Sequence, residues 1–403
     1  MTITVDGTAV VNSVADAEGY IARVCFKTGP PESTGVELEW TVHHRDDPAR
    51  PLDISALRAA LGPHAPLSID RDSPAAPLPG GSPVTVEPGG QVEISTPPAA
   101  SPATLYQRVE ADIAALQGLL ARHGLVLGRN GIDPHRPPAI VVQTPRYAAM
   151  THAFQPYRPY GDAMMRSTAG LQVCVDAGVD PTERWRALHT LGPALLAAFA
   201  TSRRHAGHDT GWASARMRAW LRLDPRRTAP VYAQGGSVTA DAWVRYAMSA
   251  PLLCVRRDGD RWKAPPDSTF ADWIGGALDT PPTHDDLSYH LTTLFPPVRP
   301  RGYLEVRYLD TQPPGEWIAP VAVVMSLLSS SDTIAEAERR AAPAIDRWEA
   351  AARHGTADPA IADAARGLLA LALENLPVDT PGQASDLIRR RLDSARGTAG
   401  ETA

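Results

Sequence analysis

Apolar and polar positions alternate with period two in four separated stretches of the chain, and in each the polar side carries acids, amides or arginine. In GVELEWTV, Val36, Leu38 and Trp40 face one way and Glu37 and Glu39 the other. TVEPGGQVEIS predicts two short strands around Gly89-Gly90, with Val92 and Ile94 opposed to Gln91, Glu93 and Ser95, and Glu87 close by. LQVCVD sets Leu171, Val173 and Val175 against Gln172, Cys174 and Asp176, and YLEVRYL sets Leu304, Val306 and Tyr308 against Tyr303, Glu305 and Arg307. Like charges on one strand face repel unless something cationic sits between them. Joined in one mostly antiparallel sheet, the four strands would offer an apolar side to helices and a polar side forming a carboxylate-rich bowl. The expected fold class is α+β.

Helical periodicity fills most of the remaining chain. NSVADAEGYIARVCFK reads as a helix capped at Asn12 or Ser13, Asp53 to Leu61 as a short one, and Ser101-Pro102 opens a long one that runs to His123 and closes at Gly124. TPRYAAMTHAF begins a helix containing Arg146 and Tyr147. Pro181 to Arg204 is helical, with Gly192-Pro193 expected to kink or divide it. Ala242 to Arg256 predicts a helix running into a strand-like PLLCV, and Thr269 to Leu278 a short helix. Helices near 318–329, 334–352, 358–373 and 385–396 predict a helical C-terminal part over 316–396, with 397–403 a disordered tail. Residues 63–83, rich in Pro, Ser, Gly and Ala, read as a loop with little to hold it rigid. One catalytic domain over 1–403, its sheet segments within 33–310, is the expected organisation.

Composition narrows the function. With 403 residues, 43% hydrophobic, 21% charged and a net charge of -6, the chain reads as an ordinary globular protein and not as a general nucleic-acid binder. Cys25, Cys174 and Cys254 are far apart with no C-x-x-C, so neither a disulfide framework nor a cysteine-rich zinc site is indicated. No apolar run reaches the roughly 20 residues that span a bilayer, and nothing marks the N-terminus for export. A cytoplasmic protein with small-molecule partners is expected, with no nucleic acid, no membrane and an open oligomeric state compatible with a monomer.

Lysine occurs only at Lys27 and Lys263, and neither completes a P-loop, so phosphate binding would fall to arginine and to metal-bound carboxylates. Arg299, Arg301 and Arg307 gather at the last strand, while Arg216, Arg218, Arg222, Arg226 and Arg227 interleave with Trp212 and Trp220. Each has a plainer reading, a salt bridge at Glu305 and Arg307 and an exposed arginine-rich helix over 211–228. Several carboxylates on one surface raise each other's pKa, and oxygen-seeking ions such as Mg²⁺ relieve that repulsion. The cumulative pattern points to metal-assisted phosphoryl chemistry on an acidic small molecule.

At these residues the chain resembles the glutamate-cysteine ligases of the plant and bacterial carboxylate-amine ligase class. The matching pieces, in the family's order, include G-x-E-x-E at Gly35 to Glu39, E-P-G-G-Q-x-E at Glu87 to Glu93, RY-x-x-M at Arg146 to Met150 and MMR at Met164 to Arg166. Q-V-x-x-D at Gln172 to Asp176, S-x-R-x-x-x-W-x-x-x-D-x-x-R at Ser214 to Arg227, YA-x-x-x-P at Tyr246 to Pro251, and HLTT-x-FP-x-VR with YLE-x-R-x-x-D at His290 to Asp310 continue the series. The resemblance implies a glutamine synthetase-like bowl and ATP-dependent joining of L-glutamate, through a γ-glutamyl phosphate, to L-cysteine. It places Mg²⁺ ligands on Glu37, Glu39, Glu87, Glu93, Gln172 and Glu305. Catalytic roles fall on Glu305, Arg307 and Arg299, and nucleotide or substrate binding on Arg216, Arg227, Gln172 and Arg146. The sequence departs from the plant pattern at Ser167-Thr168-Ala169-Gly170 and at YLDTQP, and its arginine-rich, lysine-poor composition with RPPAIVVQTPRYAAM is similar to the type used in bacterial ergothioneine synthesis. A ligase of the same class with another amine, or a non-catalytic paralogue that binds ATP or glutamate, remains the alternative.

Overall fold

The computed structural model describes residues 7–27, 33–232 and 239–397, so the tail expected to be disordered lies outside the described residues apart from Gly397. Among the described residues, six strands join in one antiparallel sheet: β1 (Thr34–Trp40), β2 (Val84–Val86), β3 (Val92–Ser95), β4 (Gly170–Val175), β5 (Val298–Pro300) and β6 (Leu304–Asp310). Their order is β2-β3-β1-β4-β6-β5, which gathers strands from distant parts of the chain. All four alternating stretches belong to this sheet, and the α+β class is that of the structure.

Register decides what meets on the polar face. Glu39 pairs with Glu93, Glu37 with Gln172, and Glu305 with both Cys174 and Arg299. The opposite face buries Val36, Leu38, Ile94, Val173, Val306 and Tyr308 in one continuous core. Helices α1 (Pro102–Ala121), α4 (Pro181–Ala198) and α6 (Ile318–Leu327) cover it, with α7 (Pro359–Glu374) packed behind α4 and α6. Over the polar face stand α2 (Pro145–Ala153), α3 (Tyr160–Ser167) and α5 (Ala215–Leu221), whose Met150, Met164, Met165 and Ala219 form a second, smaller apolar cluster with Phe295. A one-residue register shift between Val306 and Leu309 marks a β-bulge in β6. There Arg307 lends its N–H to the Pro297 carbonyl at 2.9 Å, and its own carbonyl accepts from Arg216 Nη2 at 2.8 Å.

Several elements differ from the sequence expectations for identifiable reasons. Helix α4 runs unbroken through Pro193 to Ala198, with Gly192 seated against the Trp348 ring. The helix expected over 334–352 is two, Ser331–Ala341 and Trp348–His354, because Pro343 falls at the junction in a 3₁₀ turn. PLLCV makes only isolated bridges. The 63–83 loop is pinned where the buried Asp112 carboxylate accepts from the Gly80 and Ser82 N–H groups. Among the described residues no single helix is long and apolar enough to cross a membrane. A pair bent by 111°, α6 with residues 331–344, passes by length and composition only, and α6 is buried in the core.

Candidate active site

The polar face of the sheet and the three helices over it enclose a cleft of about 190 Å³. Glu37 and Glu39 come from β1, Glu93 from β3, Gln172 from β4 and Arg307 from β6. Glu87 arrives on the turn between β2 and β3, which closes with Gly90 N–H on the Glu87 carbonyl at 2.9 Å. Gly90 takes φ 82°, a conformation glycine adopts without cost. At Gly89 a Cβ would lie 2.0 Å from the Arg166 carbonyl oxygen, so the turn can approach the end of α3 only as glycine.

Within the cleft the carboxylates are short of positive partners. Glu39 accepts from Gly170 N–H at 2.6 Å and from Gln172 Nε2 at 3.3 Å. Glu93 accepts from the Thr85 hydroxyl at 2.7 Å, and Glu87 from the Tyr147 hydroxyl at 3.4 Å. Burial pushes the Glu37 carboxyl up to about 7, with the Glu305 charge adding to it. Burial does the same to Glu87, also to about 7 with Glu39 as the next cause, and raises Glu93 well above its ordinary value, helped by Glu37 and Glu39. Oxygen-only donors that resist ionisation where they stand suit a hard divalent cation such as Mg²⁺. The donor set of Glu37, Glu39, Glu87, Glu93 and the Gln172 amide fits that ion.

Glu305 stands apart, fully buried beneath this surface. Arg299 grips it through two bonds, 2.6 and 3.1 Å, and Arg307 donates at 2.9 Å, with Arg301 at 3.7 Å. Burial opposes its ionisation, yet Arg299 and Arg307 together hold the carboxyl well below its usual range. Arg307 also donates to Gln172 Oε1, its Nε is buried without a partner, and its guanidinium lies 5.6 Å from the Trp220 ring centre. Arg146 reaches the cleft from α2, contacting Thr292 and stacking 5.1 Å from the Tyr289 ring centre.

The sequence-predicted residues therefore fall into three places. Glu37, Glu39, Glu87, Glu93, Gln172, Arg146, Arg299 and Arg307 line the cleft, and Glu305 lies directly under it. Arg216 and Arg227 lie behind its walls. Arg216 supports the Arg307 carbonyl and sits 3.9 Å from Asp310, while Arg227 donates to the Thr293 and Pro251 carbonyls. Residues that the sequence motifs contain without assigning them a role are the apolar wall of Trp220, Phe295, Met150, Met164 and Met165, together with Tyr147 and, where the chain departs from the plant pattern, Thr168. In the sequence they look like core residues at helical spacing. Cys174 was placed on the polar face without a role; its sulfur and oxygens of Glu37 and Glu305 lie within 4.8 Å of one another, and burial, then those two charges, hold its proton on.

Known proteins share this arrangement of elements and much of the sequence. The chain is 37% identical over 406 residues to glutamate-cysteine ligase EgtA of Mycolicibacterium smegmatis, covering 96% of this chain and 90% of that protein. It is 38% identical to the EgtA of Mycobacterium tuberculosis, with 95% and 88% covered, and 28% identical to the chloroplastic glutamate-cysteine ligase of Brassica juncea, with 62% and 50% covered. Among solved structures, glutamate-cysteine ligase of Francisella tularensis in complex with AMP superimposes with a TM-score of 0.50 at 12% identity, over 93% of this chain and 84% of that one. A bifunctional glutathione synthetase from Pasteurella multocida gives 0.51 at 12% identity, over 97% and 50%. Likeness at such identity concerns the fold alone. The profile of glutamate-cysteine ligase family 2 matches residues 33–389, and the chain belongs to that family.

Proposed function

We propose that this protein is a cytoplasmic glutamate-cysteine ligase, a single catalytic domain that joins the γ-carboxyl of L-glutamate to the amino group of L-cysteine while converting ATP to ADP and phosphate, and that its product feeds ergothioneine synthesis. The observation that carries the reading is the cross-strand register that sets Glu93, Glu39, Glu37 and Gln172 on one face, with Arg307 from the bulge of β6 lining the same cleft. The EgtA name of the mycobacterial relatives, which align over nearly the whole chain, supports the acceptor and the pathway.

The reaction proceeds in two steps. The γ-carboxylate of glutamate takes the terminal phosphoryl group, releasing ADP, and the cysteine amine then displaces phosphate to leave the amide. Glu37, Glu39, Glu87, Glu93 and Gln172 would hold Mg²⁺, which would supply charge neutralisation for the phosphates. Arg307, with an unpartnered N–H, and Arg146 supply fixed positive charge to the developing anions. Arg299 acts mainly through Glu305, holding the pair rigid beneath the cleft; Glu305 accepts three arginine hydrogen bonds and lies close enough to Glu37 that both carboxylates could reach one cation. The apolar wall of Trp220, Phe295 and the methionines excludes water that would hydrolyse an acyl phosphate.

The test is ADP release, which should require Mg²⁺, glutamate and cysteine together. Glu93→Gln removes one carboxylate whose bond in the structure is to Thr85, so the fold should persist. Outer-shell changes at metal sites alone cost about 10–100-fold, and loss of a direct ligand should lower kcat/KM by more than about a hundredfold. An unaffected Glu93→Gln enzyme would sink this ligand set, and preference for another amine over cysteine would reassign the acceptor.

A further inference from the structure

A second cavity, of about 300 Å³, lies on the far side of Tyr147 and Pro88 from the catalytic cleft. Its floor is apolar, made by Pro88, Ile140, Val142 and the Tyr147 ring. This wall comes largely from RPPAIVVQTPRYAAM, whose Ile140 and Val142 have no role in the reaction above. The loop is held in place by the Val141 and Val142 N–H groups, which both donate to the Pro88 carbonyl, at 2.8 and 3.0 Å. Ile140 is nonetheless 55% exposed at the rim.

The remaining lining is mostly polar and includes three cations. Arg158, Arg166 and Lys263 all face the cavity, and no carboxylate lines it among the described residues. Arg158 and Arg166 share one acid, Asp162, at 2.9 and 2.6 Å. Lys263, one of two lysines in the chain, pairs with no acid among the described residues. Three cations against one carboxylate leave two positive charges at an apolar-walled recess, where low-dielectric walls focus the field on an anion. Arg166 adds a separate sign: its side chain is 7% exposed, fixed by Asp162 and the Thr151 hydroxyl, and its Nε is buried with no hydrogen-bond partner.

We propose that this cavity is a binding site for a small organic anion, a phosphate or carboxylate carried on an apolar or aromatic body. The body packs on Ile140, Val142 and the Tyr147 ring, and the anion is taken by Arg158, Arg166 and Lys263. Tyr147 is the shared wall, and its hydroxyl donates to Glu87 Oε2, so the occupant touches a residue that also holds a cleft carboxylate. The same chemistry has two possible sources, the nucleotide itself or a separate acid. The site does not depend on the reaction proposed above.

Phenyl phosphate is the probe, titrated calorimetrically into the full chain in EDTA so that no metal draws the anion to the cleft. Wild type should bind one equivalent. Lys263→Glu and Ile140→Asp, both at exposed positions, should each weaken binding at least about tenfold while circular dichroism stays unchanged. Displacement of the probe by ATP, with a raised KM for ATP in both variants, identifies the nucleotide as the source. Retained binding in saturating ATP, with KM unchanged, identifies a separate acid. No binding, or equal affinity in wild type and both variants, overturns the site; loss of ligase activity does not bear on it, because the titration needs no turnover.

Discussion

Glu305 is the residue on which two readings of the sequence meet. On the strand pattern it was either half of a salt bridge or a metal ligand, and in the structure Arg299 and Arg307 hold it as the ion pair. Its depressed pKa means that the stabilisation is present above the unfolded value and lost as pH falls through the lower folded one. Removing the charge should leave two nearly buried guanidinium groups facing a neutral amide. Glu305→Gln is therefore expected to lower the unfolding free energy by roughly 3–5 kcal/mol, the range for breaking a buried pair from one side. Urea denaturation measures this, and an unchanged midpoint would show that the arginines find other acceptors. Glu93→Gln should behave oppositely, holding stability at low pH and gaining it as pH rises, because burial first and then Glu37 and Glu39 oppose ionisation at this position and the amide cannot ionise.

At the scale of elements, strand faces were legible because period-two alternation survives whatever the partner strand is. Register was not, since the pairing of Glu39 with Glu93 depends on chain segments some fifty residues apart finding each other. The bulge at Arg307 was equally hidden: one extra residue leaves the alternation of YLEVR intact. The cleft carboxylates are readable as charges on half-apolar strands, whereas the role of Trp220, Phe295 and Met164 is not, although they lie in the matching motifs, because a wall that excludes water has the composition of a core. Arg216 and Arg227 looked like anion clamps for a related reason; sequence does not reveal that a backbone carbonyl awaits a guanidinium. Helix α4 makes the same point about packing. Glycine to alanine in a helix interior normally stabilises by about 1 kcal/mol, but a Cβ at Gly192 would lie 2.0 Å from Trp348 Cη2. Gly192→Ala should therefore destabilise, by roughly 1–3 kcal/mol for an overpacked core, and a raised thermal midpoint would mean that the Trp348 ring yields readily.

For the molecule as a whole, the sheet divides stabilising burial on one face from electrostatic repulsion on the other, and the balance should respond to pH and metal together. In metal-free protein burial and mutual repulsion raise the Glu37 and Glu87 carboxyls to about 7 and hold Glu93 well above its ordinary value, so the folded state binds protons there that the unfolded state does not. Stability from a raised carboxyl is present below its unfolded value and disappears as pH rises through the folded one. His43, His189 and His290, depressed to about 4 by burial, act in the opposite direction, but only between that value and about 6.5. Above pH 6.5 the carboxylates stand alone. In EDTA, raising pH from about 6.5 to 8 should lower stability by roughly 1–2 kcal/mol from Glu37 and Glu87, with Glu93 adding in the same direction, read as a falling thermal midpoint. Added Mg²⁺ should restore more at pH 8 than at 6.5, because protons no longer compete for the ligands and only the folded state assembles them. A midpoint in EDTA that rises over this range, or Mg²⁺ that stabilises more at the lower pH, would mean that the bowl is neutralised by its own arginines and does not call for a cation.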